Sequence, residues 1–590
     1  MAFLKFNKSE LVNLSYSLKR EIICANKTGA YCNTSIVTCN TRRYHGLLAV
    51  PVDAFGGRTH LLLSSLDESL ILNGKQFNLG IHCYGSVYEP RGHKYIIDFE
   101  ADPVPKITYK VGEIVLTKSI LLVPDSDQVM IRFDLVKAPA KVKLLLTPFL
   151  AFRDIHALTY ENPNARTEGW EIPNGMSFNL YEGFPDLNMQ FNIKDVSFVA
   201  APCWYKGVTY SDEYRRGFAC KEDLYVPGHF ETGMKPGDSL VFSASVDPAT
   251  PSGLKRKFES YVARAAKITT YHEQLVHCAD LLKQDRGGHK MITAGFSWLY
   301  TGLLRETLEA LPGLTLYADG NKAEFEEILD NLIADNQERL FHRTTQVEAP
   351  LRLADTLTHY IEFGADPKAV WKKYGPVVKG ILESYLPGKR IEVAMQPNGL
   401  LWAQLDHWAL SWMNTYVNGN PVTERAGYQV ETNAMWFQSI LFAVTMERKY
   451  SPSDSAFLKE WSRILDLVRA NFQSTFWNAR AGYLADYVDN AGQHLEVRPN
   501  MLYALVGENI PVEPEVAQRV LQVIDNELVT RRGIRTLSPR HAEYKGVYEG
   551  SQTDRDLAYY NGCCLTSLLG PYCEVCFKMK GAAFLNKAQW

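Results

Sequence analysis

The sequence of 590 residues contains no uninterrupted apolar run of the length that a membrane span requires. Its first 24 residues mix charged and apolar side chains, so they lack the apolar segment of a secretion signal. The 63 Lys and Arg residues nearly balance the 66 Asp and Glu residues, which leaves no charge excess to attract nucleic acid or an anionic membrane. We therefore expect a cytoplasmic protein whose ligand is uncharged.

Cysteine follows no regular pattern. Eleven residues, an odd number without a repeated spacing, indicate reduced thiols rather than a disulfide framework. The cluster of Cys563, Cys564, Cys573 and Cys576 ends in C-x-x-C but has no second pair at the spacing of a zinc site. We interpret these residues as helix thiols, and the sequence implies neither a metal ion nor an organic cofactor.

Aromatic residues are plentiful, at 12% of the chain with 11 Trp and 31 Tyr. Most of them will lie in the core, because aromatic side chains dominate burial. Their number is nonetheless sufficient to line a carbohydrate site, since the apolar faces of sugars stack on rings.

The pattern of apolar residues changes near residue 250. From about 20 to 250, short runs rich in Val, Ile, Thr, Tyr and Phe are separated by Gly, Pro, Asn and Asp, which predicts an antiparallel β-sandwich. Helical periodicity over 254–283 predicts a connector, and long amphipathic stretches beyond 288 suit an α/α toroid. We predict a sandwich domain at 1–250, a helical connector at 251–287 and an α/α-toroid domain at 288–590.

Several segments carry a family resemblance. Residues 29–49 read GAYCNTSIVTCNTRRYHGLLA, 399–416 read GLLWAQLDHWALSWMNTY, and 421–440 read PVTERAGYQVETNAMWFQSI. These resemble motifs of the glycogen debranching enzymes of the amylo-α-1,6-glucosidase type, and further similar motifs follow in the family's order. The resemblance covers about residues 10–575. It implies a six-hairpin toroid that acts on glycogen or maltooligosaccharide, with no nucleic acid or membrane partner.

The resemblance also implies inverting hydrolysis, in which one carboxylic acid protonates the leaving oxygen and a second carboxylate activates water. The family's acid position is Asn414 here, and an amide has no proton to give. Asp406 or Glu431 could supply a substitute. The family motif that carries the base is not recognisable after Phe577, so we expect the base and the last helices to be missing.

The resemblance further implies a sugar pocket. Its expected residues are Trp298, Arg305, Glu306, Asp355, Trp402, Trp412, Asn433 and Trp436. Glu306 stands where the family has an Asp, and with Arg305 it could grip vicinal hydroxyls or form a solvated pair at a helix start. Asp355 stands where we match the acidic residue of the family pattern VDASLWF. Trp436 could equally be a core residue.

The motif CNTRRYHGLL at 39–48 has two interpretations. It could form a structural turn, because Asn40 and Thr41 favour a turn and Gly46 permits close backbone approach. Alternatively, Arg43 or His45 could contact sugar directly.

Three hypotheses on function follow. The first is an active debranching-type α-1,6-glucosidase, which the resemblance favours. The second is a catalytically impaired paralogue that binds α-glucan without hydrolysing it, and the third is a damaged product without function. The altered acid and base positions favour the second and third.

Overall fold

The computed structural model describes residues 4–295, 302–452 and 455–584. The chain divides into two compact units, residues 1–301 and 302–590. Trp298, expected in the sugar pocket, lies outside the described residues. Within the described ranges, every helix is too short or too polar to cross a membrane.

The first unit is built from two large antiparallel sheets. One sheet has the spatial order Lys5–Asn7, Ile96–Glu100, Lys106–Val111, Ile114–Leu122, Gln128–Lys137, Ser239–Ser245, Leu187–Phe191, Gly175–Phe178 and Trp170–Ile172. The other has the order Glu21–Ala25, Tyr31–Ser35, Gly46–Val52, Arg58–Leu72, Val142–Asp154, Lys221–Met234, Ser197–Thr209, His82–Tyr84 and Val87–Glu89, with Lys75–Asn78 also paired to Arg58–Leu72. Short helices at Lys8–Leu11, Leu14–Ser17 and Ser211–Arg215 connect the strands.

The two sheets share one apolar core. Alternate residues of each strand point inward, so Ile131 and Phe133 of the first sheet join Leu63 and Leu144 of the second in a single buried cluster. The predicted antiparallel sandwich is therefore confirmed.

The predicted connector consists of two helices, Leu254–Arg264 and Tyr271–Leu281, followed by a hairpin of Lys283–Arg286 and His289–Ile292. The two helices are separate because Thr270 caps the start of the second one. The hydroxyl of Thr270 accepts a hydrogen bond from the backbone N–H of Glu273, and the carboxylate of Glu273 accepts one from the backbone N–H of Thr270. Leu254 and Phe258 of the first helix pack in one apolar cluster with side chains of the first sheet.

The second unit is mainly helical. Its helices are Leu304–Leu311, Pro312–Tyr317, Lys322–Asp335, Gln337–Phe341, Arg352–Glu362, Pro367–Ser384, Val430–Tyr450, Ala456–Phe476, Pro514–Glu527, Gln552–Tyr559 and Leu569–Lys580. Short antiparallel sheets lie between the helices. Three have two strands: Val393–Met395 with Leu401–Ala403, Tyr416–Val417 with Asn420–Pro421, and Trp477–Asn478 with Tyr483–Leu484. Two have three strands: Tyr428–Gln429 with Tyr487–Asp489 and Gly492–His494, and Val529–Thr530 with Gly533–Arg535 and Cys564–Leu565. The helix Val430–Tyr450 is buried along most of its length and contacts Arg352–Glu362, Pro367–Ser384 and Ala456–Phe476. The predicted class, a β-sandwich followed by a helical region, is confirmed.

Candidate active site

Asn414, which the resemblance matches to the family's acid position, lies in the loop between the strands Leu401–Ala403 and Tyr416–Val417. Asn414 accepts a hydrogen bond from the hydroxyl of Tyr560, with 3.3 Å between the two oxygens. The ring of Tyr560 meets Trp412 edge to face, with 5.3 Å between centroids. Asn414 thus acts as a hydrogen-bond acceptor in a largely aromatic setting, and its amide cannot serve as a proton donor to a leaving group.

Glu431 lies in a buried ionic network at the start of the helix Val430–Tyr450. Both of its oxygens accept hydrogen bonds from Arg425, at 2.5 and 2.7 Å, and Arg425 also bonds Asp486 at 2.6 Å. Asn500 links Asp486 to the indole nitrogen of Trp412, at 2.8 Å on each side. The carboxylate of Glu431 is therefore neutralised and fixed, and the network anchors the loop that carries Trp412.

A second charged group surrounds Arg305 at the start of the helix Leu304–Leu311. One of its terminal nitrogens donates to Glu306 at 2.6 Å, and the other lies 3.5 Å from Glu348. Glu348 has no exposed surface, and neither of its oxygens accepts a hydrogen bond within the described part of the chain. Burial raises the pKa of Glu348, although Arg305 opposes the shift. Glu348 therefore keeps its proton to a higher pH than a free glutamic acid does.

Arg352 borders the same space. It bonds Glu309 at 2.6 Å and the hydroxyl of Tyr503 at 3.3 Å, while its Nε finds no acceptor among the described residues. The charges of Arg352 and Glu431 both act on Glu348, and those of Arg305 and Glu348 act on Tyr560. Each buried polar group without a partner costs about 1–3 kcal/mol, so such a cluster is more typical of a ligand site than of a structural core.

Two further predicted residues lie four positions apart, Trp402 in the strand Leu401–Ala403 and Asp406 in the loop that follows it. Trp402 is half-buried, meets Tyr428 edge to face at 4.9 Å and donates its indole hydrogen to Gln404. Asp406 is exposed and forms no hydrogen bond or ion pair in the part of the chain that the structure describes. The structure does not bring Asp406 into the buried network around Asn414.

Three other residues predicted in the sugar pocket are either exposed on a helix or buried with protein partners. The side chain of Asp355 is 55% exposed and lies 3.9 Å from His359 on the surface of its helix. Asn433 uses its amide entirely on backbone groups of Leu401 and Gln429, and its side chain is buried. Trp436 is fully buried against Trp461 and Tyr385 and donates to the carbonyl of Gly399.

Sequence reasoning missed Glu348, although a signal was present. Residues 347–351 read VEAPL, which fits the start of the family pattern VDASLWF with Glu in place of Asp. Matching that pattern to Asp355 instead selected an exposed residue seven positions further along the chain.

The motif at 39–48 forms a buried turn in the first unit. Arg43 donates to the carbonyl of His156 at 2.9 Å, and the Nδ1 atom of His45 accepts from the backbone of Thr41 at 3.1 Å. A Cβ atom at Gly46 would lie 2.0 Å from the side chain of Leu61, so only glycine fits there. These contacts support the interpretation as a structural turn.

The described residues contain no group of three or more His, Cys, Asp or Glu side chains that could hold a metal ion. All eleven cysteines are free thiols.

Comparisons with known proteins give one consistent family. A family model described as "Glycogen debranching enzyme N terminal" matches residues 20–241, and one described as "Amylo-alpha-1,6-glucosidase" matches residues 272–589. No curated protein gives a significant match. Together the two models cover most of the chain.

Among solved structures, a bacterial glucoamylase complexed with acarbose is 9% identical, with a TM-score of 0.48 over 91% of this chain and 80% of the other. A rhamnosidase from Klebsiella oxytoca with rhamnose bound is 11% identical, with a TM-score of 0.31 over 61% of this chain and 72% of the other. A GH78 family rhamnosidase of Bacillus sp. GL1 is 11% identical, with a TM-score of 0.31 over 78% of this chain and 47% of the other.

Proposed function

We propose that this chain, which belongs to the glycogen debranching enzyme family, removes α-1,6-linked glucose from branched α-glucan by hydrolysis. The observation that carries the proposal is Glu348, a buried carboxyl without a hydrogen-bond partner in the described residues, beside the Arg305–Glu306 pair. Hydrolysis of a glycosidic bond needs a carboxylic acid that still holds its proton near neutral pH. Burial shifts the pKa of Glu348 in that direction.

In this proposal Glu348, in place of the amide of Asn414, donates its proton to the leaving oxygen as the glycosidic C–O bond breaks. Water adds to the anomeric carbon and loses one proton to the solvent, and a proton from the solvent restores Glu348. Arg305 and Glu306 grip vicinal hydroxyls of the glucose unit through charge-assisted hydrogen bonds. Trp412 and Tyr560 form an aromatic wall beside Asn414. Glu431, bound at both oxygens by Arg425, positions the loop and takes no part in proton transfer.

The wider organisation belongs to the same proposal. The helical region is an α/α toroid, the domain boundaries are 1–250, 251–287 and 288–590, and the protein acts in the cytoplasm on glycogen or maltooligosaccharide. The near balance of charges supports an uncharged ligand.

Glucose release from a branched limit dextrin tests the proposed acid. Glu348→Gln keeps the shape of the side chain but removes its proton, so kcat should fall by about 10²–10⁴. The matched control is Glu338→Gln, which alters an exposed carboxylate on the helix Gln337–Phe341 and should retain full activity. Full activity of Glu348→Gln would show that another carboxyl is the acid.

The second candidate function is glucan binding without hydrolysis. It is favoured by the amide at Asn414 and by the neutralised carboxylate of Glu431. Purified wild-type chain that is retarded in an amylopectin gel but releases no glucose would establish this candidate in place of the hydrolase.

A further inference from the structure

Four aromatic rings run in unbroken contact away from Asn414. Trp412 meets Tyr560 at 5.3 Å between centroids, Tyr560 meets Tyr559 at 4.6 Å, and Tyr559 meets Tyr548 at 5.7 Å. We name this series of four rings the aromatic ladder. Its inner two rings are buried, whereas Tyr559 is 36% exposed and Tyr548 is 48% exposed. The aromatic ladder therefore leads from the candidate site to the surface of the second unit.

Packing does not account for the outer half of the ladder. Tyr548 lies in the segment 543–551, in which almost every residue is exposed, and its neighbour Val547 is 67% exposed. Single exposed apolar side chains are common on protein surfaces, but Val547, Tyr548 and Tyr559 are neighbours, and contiguous exposed apolar surface is typical of a binding site. A tyrosine ring offers an apolar face for stacking and a hydroxyl for hydrogen bonding, which suits a polyhydroxylated ligand.

A charged pair borders the ladder. Arg305 and Glu306 are joined by a hydrogen bond of 2.6 Å, and both act electrostatically on Tyr559. Rings that stack on apolar sugar faces thus lie beside groups that bond sugar hydroxyls. The same Arg305 approaches Glu348 to 3.5 Å, which connects the ladder with the proposed acid.

We propose that the aromatic ladder binds the α-glucan chain on the leaving-group side of the scissile bond, with the outer rings Tyr559 and Tyr548 stacking on successive glucose units. This inference rests on the proposed function, because it takes the cleaved glucose to lie at Arg305 and Glu348.

The test compares two substrates in Tyr548→Ala. Branched limit dextrin carries a long leaving chain, whereas α-glucosyl fluoride carries none. We expect kcat/KM for limit dextrin to fall about tenfold, which corresponds to about 1.4 kcal/mol, and kcat/KM for the fluoride to stay unchanged. Tyr548→Phe should retain most of the activity on limit dextrin because it keeps the ring. Tyr214→Ala, at an exposed tyrosine of the first unit, is the matched control and should change neither substrate.

A second measurement separates the ladder from the chemistry. Retardation in an amylopectin gel needs no turnover, and we expect Tyr548→Ala to reduce it while Tyr214→Ala does not. If the wild-type chain hydrolyses neither substrate, the proposed hydrolysis fails and the gel alone decides on the ladder. Equal losses on both substrates, or unchanged retardation of Tyr548→Ala, would overturn the ladder as the binding site of the leaving chain.

Discussion

A single side chain distinguishes this site from a buried ionic network of the ordinary kind. In the Arg425 network each carboxylate oxygen of Glu431 has a donor, whereas neither oxygen of Glu348 has one among the described residues. Burial without hydrogen bonds favours the neutral form of a carboxyl, and burial with two bonds to a guanidinium favours the charged form. Two buried glutamates of one unit thus differ in their surroundings, and burial raises the pKa of Glu348.

The raised pKa of Glu348 predicts a pH dependence of stability. The unfolded chain loses this proton at a lower pH than the folded chain does. The titration of Glu348 therefore lowers the free energy of unfolding progressively as the pH rises from the unfolded pKa of about 4.3 to the folded pKa. Glu348→Gln removes that cost. Its melting temperature should therefore rise relative to wild type as the pH increases above about 4.3, as measured by differential scanning fluorimetry.

Glu338→Gln provides the comparison for this titration, because its carboxylate is exposed. A difference between Glu348→Gln and wild type that stays constant over the same pH range would show that Glu348 is ionised in the folded chain.

At the level of residues, the sequence pointed to several side chains that lie close together. Arg305 and Glu306 lie beside Glu348, and Trp412 contacts Tyr560, while the role of each in binding sugar stays a prediction. Asp355 is exposed on its helix, and a shift of a few positions along a helix is enough to move a side chain to another face.

Among the helices, Glu447 joins three elements. Glu447 lies in the helix Val430–Tyr450. Its carboxylate accepts a hydrogen bond of 3.0 Å from the indole of Trp371 and forms an ion pair of 2.7 Å with Lys379, both in the helix Pro367–Ser384. It also accepts a hydrogen bond of 2.6 Å from the hydroxyl of Ser455, the residue that caps the start of the helix Ala456–Phe476. Burial alone would raise the pKa of Glu447, but these donors lower it to about 2.

We therefore expect Glu447→Ala to lower the free energy of unfolding of the helical unit by about 2–3 kcal/mol at neutral pH, because buried donors lose their acceptor. The carboxylate's contribution is fully present above its unfolded pKa and is lost as pH falls from about 4.5 towards about 2. Urea titration followed by circular dichroism measures both effects. Glu460→Ala, an exposed residue of Ala456–Phe476, should leave the transition in place, and an equal loss in both variants would contradict the role of Glu447.

The elements themselves could be predicted where local rules dominate. Helical periodicity located Pro367–Ser384, which starts with Pro367 after the cap Asp366. The break between Leu254–Arg264 and Tyr271–Leu281 was missed, because the capping pair of Thr270 and Glu273 outweighs the apolar periodicity that continues past it. The long loop that carries Asn414 could not be predicted, since distant contacts to Asn500 and Tyr560 fix its path.

Over the whole molecule, charge predicts how binding responds to salt. The formal net charge is −3 and the proposed ligand is neutral, so binding releases few counterions. Retardation in an amylopectin gel should therefore change less than about twofold between about 50 and 500 mM NaCl, well below the dependence of phosphate-binding proteins. A steep loss of retardation over this range would indicate an anionic ligand instead.

The hydrogen bond between Tyr560 and Asn414 makes the two positions interdependent. A carboxyl placed at 414 would meet the same hydroxyl donor, and a donated hydrogen bond stabilises a carboxylate in its ionised form. Asn414→Asp alone would thus introduce a carboxyl group whose proton is more easily lost. We therefore expect the effects of substitutions at 414 and 560 to be non-additive, because the two side chains share one hydrogen bond.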